Sequence, residues 1–153
     1  NKYHLQYIEL VFEVTERALL NTTNIITKRI LELRDSGIKL SIDDFGMGHS
    51  SITYLQENIF DEVKLDGSLV QHLLENDRTR EIIMSITQIA KRLNFSVVAE
   101  FVETEEQINV LKEAGCKIYQ GYYYAKAVPL DEFLQYCLIT RNGIIRSPIN
   151  EKV

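Results

Sequence analysis

Acidic side chains punctuate this chain at the ends of short runs rich in apolar and β-branched residues. Glu13 follows YIELVF and Asp43-Asp44 follows IKLSI; Lys64 and Asp66 lie in DEVKLD; Glu100 and Glu103 follow FSVVA; Gln120 follows CKIY. If these runs are parallel strands, their carboxyl ends share one face and the carboxylates converge there. Converging carboxylates repel one another and resist desolvation unless cations neutralise them. Lys64 offsets one charge. The remainder call for divalent metal with oxygen ligands, Mg²⁺ or Mn²⁺. Adjacent Asp43 and Asp44 point to opposite sides of a regular strand, so both reach one site only if the strand bends; Gly46 and Gly48 permit a bend.

Each signal also has a plain structural reading. Glu13 with Glu16 reads as a solvated turn, and Asp43-Asp44 as a turn or helix cap. Lys64 and Asp66 read as an ion pair on one strand face, and Glu100 with Glu103 as acids of a helix's first turn. Four successive strands ending in acids weigh toward a functional site. His4, His49 and His72 have no ligand spacing, Cys116 and Cys137 read as small buried apolar residues, and Tyr122–Tyr124 reads as core or rim packing.

The elements that must position these residues alternate along the chain. Strands are expected over Tyr7–Val14 (buried), Ile38–Phe45, Asp61–Asp66, Phe95–Glu100 and Cys116–Gln120. Helices are expected over Asn21–Ser36, Ser51–Glu57, Ser68–Glu75, Arg78–Leu93, Thr104–Ala114 and Asp131–Leu138. Thr22 or Thr23 can cap the first of these and Gly37 close it. Apolar stripes run through Ile25, Ile26, Ile30, Leu31 and Leu33, and through Ile82, Ile83, Ile86, Ile89, Ala90 and Leu93. Strand followed by helix, five times over, specifies parallel βα units with right-handed crossovers. An open doubly wound sheet and part of a (β/α)₈ barrel both fit, and length favours the open sheet.

The 153 residues suit one domain or part of one. Apolar residues at 45% and charged residues at 25% exclude a disordered chain. A net charge of −5 with no basic block argues against a nucleic-acid polymer as partner. No run approaches the ~20 apolar residues of a membrane span, and cysteine usage suggests a reducing, cytoplasmic compartment. The first residue is Asn1, and the only methionines are Met47 and Met84, a hint that the chain begins inside a longer protein.

Five stretches, in order and in register, resemble the EAL domain, the cyclic di-GMP-specific phosphodiesterase family of bacteria. They are FEVTE (Phe12–Glu16), SIDDFGMGHSS (Ser41–Ser51), DEVKLDGSLV (Asp61–Val70), VVAEFVET (Val97–Thr104) and GCKIYQGYYYAKAVPLDEF (Gly115–Phe133). The resemblance implies part of a TIM-type (β/α)₈ barrel, about five βα units, over residues 1–138, with 139–153 a C-terminal tail. It implies two divalent cations, Mg²⁺ or Mn²⁺, and hydrolysis of cyclic di-GMP to linear pGpG. By position Glu13, Asp43, Asp44 and Asp66 look like metal ligands. Lys64 looks like the lysine that positions the attacking water or stabilises its charge, and Glu100 like the general base or a metal partner. Glu103 and Gln120 look like further members of the site. The Phe45–Ser51 loop resembles one that couples the site to dimerisation, with Glu16 as its anchor.

The departures are specific. Phe101 stands where the family has glycine, His49 where tyrosine is common, Met47 where threonine is common and Ala127 where proline is usual. The family's Glu-Ala-Leu signature, its substrate-binding arginine and an asparagine metal ligand have no equivalent here. A piece of a barrel with open edges is expected to self-associate or dimerise, and to be weak or inactive alone. Sensor or GGDEF-type domains are possible elsewhere in the full-length protein. The rival reading is a non-catalytic EAL-like module that binds cyclic di-GMP or a protein partner.

Overall fold

Five parallel strands pair in sequence order, β1-β2-β3-β4-β5. They are seen in a computed structural model that describes residues 10–19, 24–46, 51–56, 59–133 and 135. The strands are β1 (Val11–Thr15), β2 (Lys39–Phe45), β3 (Glu62–Leu65), β4 (Ser96–Ala99) and β5 (Ile118–Tyr119). The helices are α1 (Glu16–Leu19), α2 (Asn24–Asp35), α3 (Ser51–Gln56), α4 (Gly67–His72), α5 (Asp77–Leu93) and α6 (Glu105–Glu113). Sequential parallel pairing with helical crossovers is the arrangement of barrel-type βα units, not the doubly wound order that length alone favoured. No helix among the described residues is long and apolar enough to cross a membrane.

Local chemistry explains the helix ends. α5 starts at Asn76, whose side chain accepts the Arg78 N–H at 3.0 Å, and ends at Asn94 with φ +61. Thr104 and Gln107 form a reciprocal capping box at the start of α6. Gly37, at φ +86, follows α2 in the left-handed geometry expected of it. The caps expected at Thr22 or Thr23 lie outside the described residues, as do Tyr7–Glu9 of the first expected strand. Residues 130–133 and 135 are helical, and 136–153 are outside the described set.

One apolar cluster gathers Leu65, Ile83, Ala90, Val97, Ala99 and Leu111; a second gathers Leu19, Ile30, Leu40, Ile42, Phe45 and Val63. Ile86 and Phe95 pack against both. β3 and β4 are almost wholly buried, as strands of a covered parallel sheet are. β1 differs from its expected burial. Val11 and Phe12 are exposed, because β1 pairs only with β2 and lies at an edge of the described sheet. The helix stripes are also only partly used: Ile30, Ile83 and Ala90 are buried, while Ile25, Ile82, Ile89 and Leu93 are exposed. α1 was not foreseen. Four residues are too few to show a helical period, and the signal lies in Thr15, whose hydroxyl accepts the Ala18 N–H at 3.3 Å.

Candidate active site

Strand alternation builds the site. Leu40 and Ile42 on β2, Val63 and Leu65 on β3, and Val97 and Ala99 on β4 belong to the apolar clusters. Alternate positions therefore face the other way: Ser41, Lys64, Val98 and then Glu100 just past β4. Glu13 on β1 stands opposite Ser41 in the strand register. The result is a lysine, 6% exposed, held among carboxylates from neighbouring strands. Its Nζ lies 2.8 Å from Glu100 Oε1, 3.0 Å from Glu13 Oε1 and 3.7 Å from Asp43 Oδ1. Burial works to lower the Lys64 pKa. Its hydrogen bonds to Glu100 and Glu13, and the charges of Glu100 and Asp43, outweigh burial and raise it above the ordinary lysine value. Lys64 is thus a fixed cation at any physiological pH and not a proton acceptor.

The strand bend needed at Asp43-Asp44 is present. From Ile42 to Phe45 β2 advances three residues, while its partner β3 advances two, from Val63 to Leu65. This is a β-bulge, and Asp44 occupies it at φ +55. Burial raises the Asp44 pKa first, then the charges of Asp43 and Asp66 raise it further, against the opposing effect of Lys64. Asp66 also caps α4. Its Oδ1 accepts the Ser68 N–H at 2.8 Å and the Ser68 hydroxyl. Lys64 turns to Glu13, Asp43 and Glu100, so the alternative reading of a Lys64–Asp66 pair along β3 is not the observed arrangement.

Three observations fit a hard divalent cation. The donors are all oxygen. Burial, and then the charges of Asp43 and Asp66, raise the Asp44 pKa, so an added cation would relieve that carboxylate. Asp43 Oδ1 is buried with no hydrogen-bond partner, since 3.7 Å to Lys64 is too long for one. Among the described residues no three acidic, histidine or cysteine side chains stand close enough to hold an ion as they are. The fit therefore rests on donor chemistry and the orphaned oxygen.

Glu16, 2% exposed, accepts the Gly46 N–H at 3.2 Å and so ties α1 to the end of β2. Residues 47–50, with Met47, Gly48 and His49, lie outside the described set. Ala127 is exposed.

A cleft of ≈ 390 Å³ adjoins the lysine cluster through Glu100 and is lined also by Gln71, Phe101, Glu103, Gln120, Gly121 and Tyr122. Glu103 and Gln120 open into this cleft, and no ion pair or hydrogen bond to the Lys64 cluster is seen for them. Glu100 alone belongs to both halves. The cleft is framed by close backbone approach: Val102 N–H donates to Gln120 O at 3.1 Å, and Tyr123 N–H donates to Val102 O at 2.9 Å. A Cβ on Gly121 would lie 2.2 Å from Val102 O, so only glycine fits there. Phe101 sits at φ +54, a left-handed conformation that costs a residue with a Cβ about 1–2 kcal/mol. Glycine at this position would adopt it freely. Sequence reasoning missed Gln71, whose place on α4 carries no distinguishing signal, and did not separate the tyrosines. Tyr123 and Tyr124 pack on the core, while Tyr122 is exposed at the cleft.

Comparison with known proteins shows the family and the fold. The family model described as "EAL domain" matches residues 2–127. The chain is similar to "Cyclic di-GMP phosphodiesterase RocR" of Pseudomonas aeruginosa, 38% identical over 136 residues, covering 89% of this chain and 35% of that protein. It superposes on the EAL enzyme Bd1971 bound to cAMP and cyclic-di-GMP with a TM-score of 0.77 and 32% identity, covering 82% of this chain and 33% of that one. A manganese/cy-diGMP complex of Klebsiella pneumoniae BlrP1 gives a TM-score of 0.72 and 33% identity, covering 76% of this chain and 30% of that one. The same protein's calcium/cy-diGMP complex gives 0.71 and 33%, covering 76% and 29%. The chain thus spans about a third of each of these proteins.

Proposed function

The chain belongs to the EAL domain family, and from that membership we propose that it forms part of a divalent-metal-dependent phosphodiesterase that opens cyclic di-GMP to linear pGpG. The observation that carries this reading is the buried Lys64 ammonium of β3, shared by Glu13 of β1, Asp43 of β2 and Glu100 just past β4. The similarity to proteins named as cyclic di-GMP phosphodiesterases supports it.

In hydrolysis, water attacks one phosphorus, the P–O3′ bond breaks, and the 3′-oxygen leaves with a proton. Glu13, Asp43, Asp44 and Asp66 would hold two cations, Mg²⁺ or Mn²⁺, and bound there the cations would supply acidification of the attacking water and positive charge for the phosphoryl group. Lys64 orients Glu100 through a 2.8 Å hydrogen bond and adds fixed positive charge where the transition state is negative. Glu100, bonded to the lysine and lining the cleft, would take the water's proton. Glu103 and Gln120 meet the substrate from the cleft rim. Glu16 steadies the turn after β2 through Gly46.

The exposed edge of β1, with Leu10, Val11 and Phe12 open, supports self-association or a homodimer. Further sensor or GGDEF-type domains in the whole protein and a cytoplasmic location complete the reading. A second reading, an EAL-like module that binds the dinucleotide without cleaving it, is favoured by one observation: Phe101 is strained beside Glu100. Chromatographic assay of pGpG release in Mg²⁺ or Mn²⁺, with the natural protein at full length and its Glu100→Gln variant, separates them. Turnover by the native protein that Glu100→Gln abolishes is expected. Binding without turnover by the native protein would overturn the enzymatic reading.

A further inference from the structure

Phe101 is the residue that neither strand geometry nor core packing explains. Its backbone is left-handed, and its side chain is 54% exposed, so no burial offsets the strain. Strain of this kind persists where the surrounding structure over-determines it, and it collects at ligand clamps. Two features over-determine it here. Val102, the next residue, is locked to Gln120 and Tyr123 by backbone hydrogen bonds. The ring itself lies against Gly67, where an added Cβ would come within 2.4 Å of it. The ring is therefore seated on the first turn of α4 and forms one wall of the cleft.

The chemistry of the cleft selects what could lie on that ring. Its volume of ≈ 390 Å³ suits a small planar ligand or part of one. Its polar side chains are Glu100, Glu103, Gln71, Gln120 and the Tyr122 hydroxyl, and among the described residues no cationic side chain lines it. A phosphate would meet repulsion there. A base edge carrying N–H donors would meet carboxylate and amide acceptors. Exposed aromatic faces hold bases by stacking regardless of sequence. Tyr122, the other exposed ring of the cleft, already carries the Lys126 ammonium 5.2 Å from its centre.

We propose that Phe101 is a base-stacking residue: its ring, seated on Gly67 beside Glu100, receives the face of one guanine of the dinucleotide, with Glu103 and Gln120 at the base's donor edge. This rests on the cyclic dinucleotide reading above and assigns to this chain a contact that glycine cannot make.

The test compares the natural full-length protein with Phe101→Gly and Phe101→Tyr. Cyclic di-GMP affinity is measured by calorimetry in Ca²⁺, and Mn²⁺ affinity by electron paramagnetic resonance without nucleotide. Phe101→Gly, which relieves the strain, should keep its thermal stability and Mn²⁺ affinity while cyclic di-GMP binds about ten-fold or more weakly. Phe101→Tyr, which keeps the ring, should bind within about three-fold of native. Equal affinity of native and Phe101→Gly overturns the stacking role alone. A parallel loss of Mn²⁺ affinity also overturns it, because Phe101 would then act by positioning Glu100. If the native protein binds Mn²⁺ but no cyclic di-GMP, the functional reading itself falls, and this proposal with it.

Discussion

Replacing Lys64 by methionine keeps an unbranched chain only one atom shorter and removes the charge together with its N–H donors. The structure sets the size of the consequence. Glu100 is 8% exposed and its carboxylate loses a 2.8 Å charged hydrogen bond. Asp43 is also partly buried, with Oδ1 already lacking a hydrogen-bond partner. Glu13, at 46% side-chain exposure, regains water and contributes little. The loss is therefore dominated by one buried carboxylate left without its cation, which costs about 3–5 kcal/mol. That is a large share of a domain's usual stability of about 5–15 kcal/mol. Urea unfolding followed by circular dichroism in EDTA reads the difference. The same charge argument predicts that Lys64→Met combined with Glu100→Gln recovers most of the loss, because Glu100, the most buried of the stranded carboxylates, is then neutral. Adding Mg²⁺ should restore part of the single variant's stability, since a second cation then meets the orphaned carboxylates. A Lys64→Met protein within about 1 kcal/mol of native in EDTA, where breaking a buried pair should cost several, would refute the reasoning. So would a double variant no more stable than the single one.

Gly121→Ala forces a Cβ to within 2.2 Å of Val102 O and 2.3 Å of Val102 N, both backbone atoms that cannot rotate away. Overpacking of this kind costs about 1–3 kcal/mol or more, seen as a lowered melting temperature. Glu16→Ala should remove about 1.5–3 kcal/mol, the range for a hydrogen bond to a charged group, and speed amide exchange at Gly46, while Glu16→Gln keeps an acceptor and loses less. Tyr119 is held by burial first, then by Cys116 and Tyr124, at a pKa pushed up to about 12. The unfolded chain gives up that proton from about pH 10, so native stability should fall as pH rises from there toward 12. Tyr119→Phe should flatten that part of a pH series of melting curves, at the loss of the 2.6 Å hydrogen bond to Cys116 O.

What could be read in advance follows from the range of the forces involved. Strands β2, β3 and β4 were legible because parallel burial makes near-continuous apolar runs, and a polar residue at their ends has few structural reasons to be there. The bend at Asp44 was legible as a requirement, since two adjacent carboxylates cannot share a site on a regular strand. Exposure of β1 was not legible in its own apolar residues, which read as buried, but followed from the resemblance, which made the chain a barrel piece with open edges. The stripes on α2 and α5 misled as well: Ile25 and Ile82 have the right period, but the sheet contacts a narrower face than the period allows. Glu103 and Gln120 were grouped with the other polar residues near strand ends, and the motif gave no means of separating them from the lysine cluster. They line the cleft, beside the close approach of Gly121 to Val102, a pairing between residues nineteen positions apart. Phe101 reverses the usual relation. Beside a motif that has glycine there, the residue reads as a defect. The left-handed backbone, the exposed ring and the seat on Gly67 give it an open aromatic face on the cleft, and none of the three follows from the local sequence.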